Sequence, residues 1–272
     1  MRNKKLLSLY SLKYDPFRPA IPPENLWEPP GARSFFGRIE SLVGQGGFAL
    51  LCGEPGLGKS KLLQLLARRL DHFDEVTVGI IERPQSSLSD FYRELGSVFG
   101  VQLSIANRYG GFQALRDRWR EHINSTLLRP VLLVDEAQQV QTDCLNEIRL
   151  LGSDRFDSKC LLTTVLCGDT RLLDRFHTPE LMPLGSRIAT RRRLSSWAAD
   201  DLRDFLDHAL DEAGAPHLMT DGLKEALVEH AAGNLRLLCN MGHNLLVEAT
   251  HREAATLDEK LFFEVFDHRQ TT

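Results

Sequence analysis

The 272-residue chain is expected to fold as an α/β body, a five-stranded parallel sheet between helices, followed by a small all-α domain. Three observations predict this. Short apolar runs alternate with helical patterns as far as Leu194. A glycine-rich stretch, Gly53 to Ser60, lies between one such run and one such helix. From Ala198 onward only helical stripes remain.

Residues 1–36 hold Pro16, Pro19, Pro22, Pro23, Pro29 and Pro30. Proline removes a donor and fixes φ, so an extended arm is expected here rather than a helix. Its aromatic residues Tyr14, Phe17, Trp27, Phe35 and Phe36 predict that the arm packs onto the α/β body. That body is expected over 37–195. Phe48–Cys52 is its first strand, and Lys59–Leu70 follows as a helix with Leu62, Leu63, Leu65, Leu66 and Leu70 at helical spacing. Val76–Ile81 is the second strand, and Ser89–Phe99 and Phe112–Leu127 are helices. Val131–Val134, bounded by Pro130 and Asp135, is the third strand, expected beside the first. Asp143–Leu151 is a helix, Cys160–Cys167 the fourth strand and Ile188–Leu194 the fifth. The all-α domain is expected over 196–272, with a last helix at Asp258–Phe266.

Hydrophobic residues make up 42% and charged residues 26%, a globular balance that excludes a disordered chain. With 33 basic and 37 acidic residues the net charge is −4, which excludes attachment to nucleic acid by bulk charge but not by a local basic face. The five cysteines form no C-x-x-C pair, so reduced thiols are expected. No stretch reaches the roughly 20 apolar residues of a membrane helix. Leu6, Leu7 and Leu9 after the basic start are interrupted by Ser8 and Tyr10, which predicts no signal peptide and a cytoplasmic protein.

Gly53-Glu54-Pro55-Gly56-Leu57-Gly58-Lys59-Ser60 meets G-x-x-x-x-G-K-[ST] in full, with a strand before it and a helix after. Glycines let backbone N–H groups turn toward phosphate oxygens, and a helix N-terminus adds positive charge. Lys59 is expected to reach the β- and γ-phosphates of ATP, and Ser60 to ligate Mg²⁺; Lys61 completes the nucleotide-binding set. The run Val131-Leu132-Leu133-Val134-Asp135-Glu136 ends a strand with two acids, where ligands bind in open α/β sheets. Asp135 is the candidate to hold Mg²⁺ through water, and Glu136 to orient and polarise an attacking water.

With these pieces the chain resembles AAA+ ATPases, nearest the ExeA/GspA-like branch and the transposition helper ATPases IstB and TniB. The resemblance is carried by Leu12-Lys13-Tyr14-Asp15-Pro16-Phe17, Gly46 to Leu51, Asp135-Glu136-Ala137-Gln138, Glu147 to Leu151 and Gly233-Asn234-Leu235-Arg236. It implies an AAA+ domain with a helical lid, ATP hydrolysis and an ATP-dependent homo-oligomer. It also implies three further site residues. Asp169, after the fourth strand, stands where relatives place a polar γ-phosphate sensor, usually glutamine; capping the helix Thr170–Phe176 is the alternative. Arg187 stands where a neighbouring subunit's arginine reaches the γ-phosphate, and Arg236 where a lid arginine senses nucleotide; an ordinary surface role remains open for each. Tyr14 and Phe17 would bring the arm over the adenine, or pack in a core.

Two basic clusters are candidate DNA surfaces, Arg191–Arg193 and the segment Arg108, Arg116, Arg118 and Arg120 with Tyr109 and Trp119 interleaved; solvated faces are the alternative. The resemblance therefore implies a DNA-binding transposition regulator with a transposase as partner. The alternatives are an ATPase of a secretion or cell-envelope assembly and a nucleotide-gated interaction switch. Secretion relatives of the ExeA type carry a membrane helix and a periplasmic region, and the sequence ending at Thr272 has neither, which favours the first expectation.

Overall fold

The computed structural model describes residues 2–81, 87–101, 108–155 and 158–267. In chain order its helices are α1 (Arg2–Leu9), α2 (Ala32–Val43), α3 (Lys59–Leu70), α4 (Leu88–Val98), α5 (Arg108–Glu121), α6 (Thr142–Gly152), α7 (Arg171–Arg175), α8 (Met182–Gly185), α9 (Ala199–Ala213), α10 (Asp221–Ala231), α11 (Leu235–Arg252) and α12 (Glu259–Asp267). The main sheet has five strands: β1 (Gly47–Gly53), β2 (Val76–Ile81), β3 (Arg129–Val134), β4 (Thr163–Gly168) and β5 (Ile188–Leu194).

The chain divides into two compact units. One holds Gly31–Pro55 and Lys59–Leu194; the other holds Met1–Pro30, Gly56–Gly58 and Ser195–Thr272. In the α/β unit every strand is parallel, in the order β2-β3-β4-β1-β5. The expectation that the Val131–Val134 strand lies beside the first strand is corrected, because β4 runs between β1 and β3. All six residues of β4 are buried, as a strand covered on both faces and both edges requires.

The fourth strand also starts later than the expected Cys160. Lys159–Cys160 instead turns back to pair antiparallel with Ser153–Asp154, and the Leu161 N–H donates to Gly152 O at 2.8 Å. Near the expected helix Phe112–Leu127, α5 gives way to a single wider π turn at His122–Thr126. Leu127, with φ 57°, ends it in the left-handed region.

In the helical unit α9, α10, α11 and α12 bury Leu206, Leu223, Leu227, Leu245 and Phe262 together. The expected extended arm is corrected in two respects. Residues Arg2–Leu9 are helical, because no proline occurs before Pro16. Its apolar side chains Leu6, Tyr10, Leu12 and Phe17 are buried in the core of the helical unit, not of the α/β body. Phe35 and Phe36, taken above as arm residues, lie in α2 and belong to the α/β unit.

Candidate nucleotide site

The strand register brings the chemistry to one end of the sheet. Leu51 of β1 pairs with Cys167 of β4, and Cys52 with Gly168. On the other side of β4, Val134 pairs with Leu166. Asp135, Asp169 and the residues after Gly53 therefore leave their strands at neighbouring positions. The Cys167 thiol reports this closeness: burial pushes its pKa well up, and the Asp135 carboxylate pushes it further. Cys167 thus stays a protonated thiol beside the acid.

Lys59 opens α3 and is buried, with its ammonium donating to Glu54 O at 3.0 Å. A backbone carbonyl is a weak partner for a buried cation, and a phosphate oxygen is a stronger one. Ser60, in the first turn of α3, is exposed. Lys61 is half-buried and donates to Gln64 Oε1 at 3.1 Å. Asp135 is half-buried, and its Oδ1 accepts the Glu136 N–H at 2.9 Å. Glu136 stands at φ 50°, in the left-handed region that a side chain occupies only at a cost of about 1 kcal/mol or more. Its Oε2 accepts from Gln138 Nε2 at 2.6 Å.

Asp169 is buried and fully engaged. Its Oδ1 accepts the Arg171 N–H at 3.0 Å, and its Oδ2 accepts from Arg171 Nε at 2.8 Å. The Arg171 guanidinium holds the Asp169 carboxyl below the usual carboxylate range. The side chain thus braces the start of α7, and its charge is paired.

The tip of the glycine-rich loop, Gly56–Gly58, belongs to the helical unit. There the Arg236 N–H donates to Gly56 O at 3.0 Å, and Trp197 Nε1 donates to Leu57 O at 3.0 Å. Gly56 has φ 89°, and a Cβ on it would stand 2.4 Å from Asn234 Oδ1. That oxygen caps α11 by accepting the Leu237 N–H at 3.1 Å. The Arg236 side chain at this helix start is exposed.

The adenine role expected for Phe17 is corrected. Its ring is buried against α11, with Gly242 leaving just enough room, and it has no free face for a base. Tyr14 is half-buried, and its hydroxyl accepts from Asn25 Nδ2 at 3.0 Å.

The donor set fits a nucleotide-borne magnesium ion. Among the described residues no group of three His, Cys, Asp or Glu side chains is placed to hold a metal. One hydroxyl (Ser60) and one acid (Asp135) suit an ion that keeps water and phosphate as its remaining ligands.

Residues 42–176 match the family model described as an AAA domain. The general secretion pathway protein A of Aeromonas hydrophila is 31% identical over 172 residues, which is 62% of this chain and 30% of that protein. The Aeropyrum pernix ORC2 protein, solved as ADPNP and ADP complexes, superposes with a TM-score of 0.67 at 15% identity, covering 94% of this chain and 71% of that one. The Aeropyrum pernix ORC1 protein in complex with DNA gives a TM-score of 0.67 at 18% identity, covering 93% and 68%. The chain has the P-loop AAA+ fold.

The other expected residues divide clearly. Arg187, between α8 and β5, is half-buried and donates to Pro183 O at 2.6 Å. In Arg191–Arg193 the side chains alternate: Arg191 and Arg193 are exposed, while Arg192 bonds Gly31 O. The second basic segment is corrected as a DNA surface. Trp119 is fully buried against Phe99, and Arg116 and Arg120 both bind Asp154 at 2.8 Å. Arg118 pairs with Glu121 at 3.4 Å; the side chain of Arg108 lies outside those described. Sequence reasoning missed Arg171 and Arg175 around Asp169 and Gln138, and gave Gln138 no role. Only Gln138 carried a signal, its place directly after Asp-Glu-Ala.

Proposed function

We propose that the chain hydrolyses Mg-ATP as a self-assembling ATPase that acts on DNA in transposition. The observation that carries the hydrolytic part is the register that sets the end of β4, with Asp169, between the end of β1 and the end of β3, with Asp135 and Glu136. Backbone N–H groups of Gly56–Lys59 and the Lys59 ammonium receive the phosphates, with Glu54, Pro55 and Leu57 shaping the loop. Ser60 and Asp135 would hold the magnesium ion, which supplies charge neutralisation across the phosphates. Water attacks the γ-phosphorus, the bond to the β–γ bridging oxygen breaks, and ADP and phosphate leave. Glu136 orients that water and takes its proton. Arg187 of one subunit serves the nucleotide of the next, and Arg236 responds to nucleotide from the start of α11. Tyr14 is the remaining arm residue proposed to approach the base.

DNA as the target is supported by the exposed Arg191 and Arg193 on β5, one of the two edge strands of the sheet, whose side chains suit phosphate contacts. The Aeropyrum pernix ORC1 protein, solved in complex with DNA, has a similar fold. A transposase partner and a cytoplasmic location belong to this reading. A second reading, the ATPase module of a secretion or envelope assembly, is favoured by the 31% identity to general secretion pathway protein A, of which the chain spans about a third. Among the described residues no helix is long and apolar enough to cross a membrane.

Steady-state ATP hydrolysis with and without duplex DNA, across a salt series, tests the choice. Stimulation that fades steeply with salt supports the DNA reading, and Arg191→Ala with Arg193→Ala should reduce it. A flat response moves the assignment to the second reading. Lys59→Ala should abolish ATP affinity in an equilibrium titration, and unchanged affinity would reject the nucleotide site itself.

A further inference from the structure

The turn after β3 contains a side chain that touches both acidic positions of the site. Gln138 Nε2 donates to Glu136 Oε2 at 2.6 Å, and its Oε1 accepts the Asp169 N–H at 3.2 Å. The amide orientation is fixed by chemistry, since a carboxylate only accepts and a backbone N–H only donates. No carboxylate, ammonium or aliphatic side chain meets both demands.

The surroundings keep this bridge in place. Gly168 makes room for it: a Cβ there would stand 2.6 Å from Gln138 Oε1. Behind the turn, Arg175 of α7 donates to Gln138 O at 2.8 Å and to Thr142 Oγ1 at 3.2 Å. The Gln138 main chain is therefore clamped from the α7 side while its side chain reaches forward. Glu136 is carried at φ 50° on the same turn. A strained residue whose carboxylate is held by a neighbour is an oriented group, not a freely rotating one.

We propose that Gln138 is a positioning residue for hydrolysis: it fixes one oxygen of Glu136, leaves the other free for water, and ties that orientation to the end of β4 at Asp169. Gln139 Nε2 donates to the same Glu136 oxygen at a longer 3.4 Å but does not reach β4, so a displacement of the β4 end when the γ-phosphate arrives or departs would move Glu136 through the Gln138 amide. The inference rests on Glu136 being the group that orients water, and it adds the device that aims it.

The test is a double-mutant cycle on the full chain with wild type, Gln138→Leu, Glu136→Gln and the double variant. Two quantities are read: kcat for ATP, and equilibrium affinity for a fluorescent ATP analogue in EDTA. Gln138→Leu should lower kcat by roughly 10- to 100-fold, the cost of a misaimed reacting group, with affinity within about threefold of wild type. In the Glu136→Gln background the same change should alter the residual rate by less than about twofold, because the two residues act as one unit. Multiplicative losses in the double variant would overturn the proposal, as would a wild-type kcat in Gln138→Leu.

Wild-type turnover in Glu136→Gln alone is a different outcome, which removes the underlying assignment of Glu136. If Gln138→Leu fails to fold, Gln138→Glu decides. It keeps the shape and the acceptor for Asp169 but sets a carboxylate against Glu136, so kcat should fall at least tenfold, and an unchanged kcat overturns the proposal. Gly168→Ala, which displaces the amide without touching it chemically, should lower kcat in the same direction at unchanged affinity.

Discussion

The carboxylate of Asp169 is held by the guanidinium of Arg171, two residues further along the chain, through Nε at 2.8 Å. An acid beside a triphosphate site opposes binding unless its charge is met, and here the neighbouring arginine meets it. Arg171→Ala should weaken ATP affinity by roughly tenfold or less, the effect of one unscreened like charge nearby. Adding Asp169→Asn should restore most of that affinity. Isothermal titration of both variants checks the pair. The melting temperature of Arg171→Ala should fall, because the Asp169 carboxylate left without its partner is buried, and adding Asp169→Asn should recover part of the loss.

If Arg187 serves the nucleotide of a neighbouring subunit, Arg187→Ala should bind ATP normally and hydrolyse it poorly. A mixing experiment separates this from a local defect. Lys59→Ala lacks a working nucleotide site but keeps Arg187, while Arg187→Ala has the converse. Neither should turn over alone, and a mixture should recover a fraction of wild-type activity. Inactive mixtures under conditions where both variants co-assemble would place the effect of Arg187 within its own subunit.

The parts of the site that lie in one continuous stretch were legible from the sequence. Gly53–Ser60 carries strand, turn and helix signals in a row, and α3 begins and ends where the leucine spacing places it. Asp135 and Glu136 were legible because an apolar run must end before two acids. The parts set by which strands meet were not. Nothing local says that β4 passes between β1 and β3, so neither the Gln138 bridge nor its dependence on Gly168 could be read. The basic segment of α5 misled for a related reason: its partner Asp154 is more than thirty residues away and becomes visible only in the fold. Phe17 misled because an aromatic in a proline-rich arm gives no hint of which core will take it.

That α5 cluster has its own pH signature. Hydrogen bonding to Arg120, aided by the charges of Arg120 and Arg116, holds the Asp154 carboxyl below the usual carboxylate range. A lowered folded-state pKa contributes stability above the unfolded value of about 3.9, which is lost as the pH falls through the folded one. Asp154→Asn should therefore cost about 1–2 kcal/mol near neutrality. The gap from wild type should narrow below about pH 4 as Asp154 itself is protonated. Thermal melts from pH 3 to pH 7 measure this, and a gap that widens on acidification would reverse the sign.

Asp15 decides whether the Leu12–Phe17 motif is an anchor. It is buried, with Oδ1 accepting the Phe17 N–H at 3.0 Å and Oδ2 paired with His243 Nδ1 at 2.7 Å. The first bond shapes the turn that sends Phe17 inward, and the second ties the arm to α11. Phe17 then packs where Gly242 has no side chain. Asp15→Ala leaves a buried N–H and an imidazole without their acceptor, at a cost of about 2–3 kcal/mol. The loss should appear as a lower melting temperature and faster proteolysis near Pro19, since the arm would detach from the helical unit before the α/β unit unfolds. Gly242→Ala should act in the same direction through packing alone, because its Cβ would meet the Phe17 ring at 3.0 Å. If both variants melt as wild type and keep the arm protected, the motif does not act as an anchor.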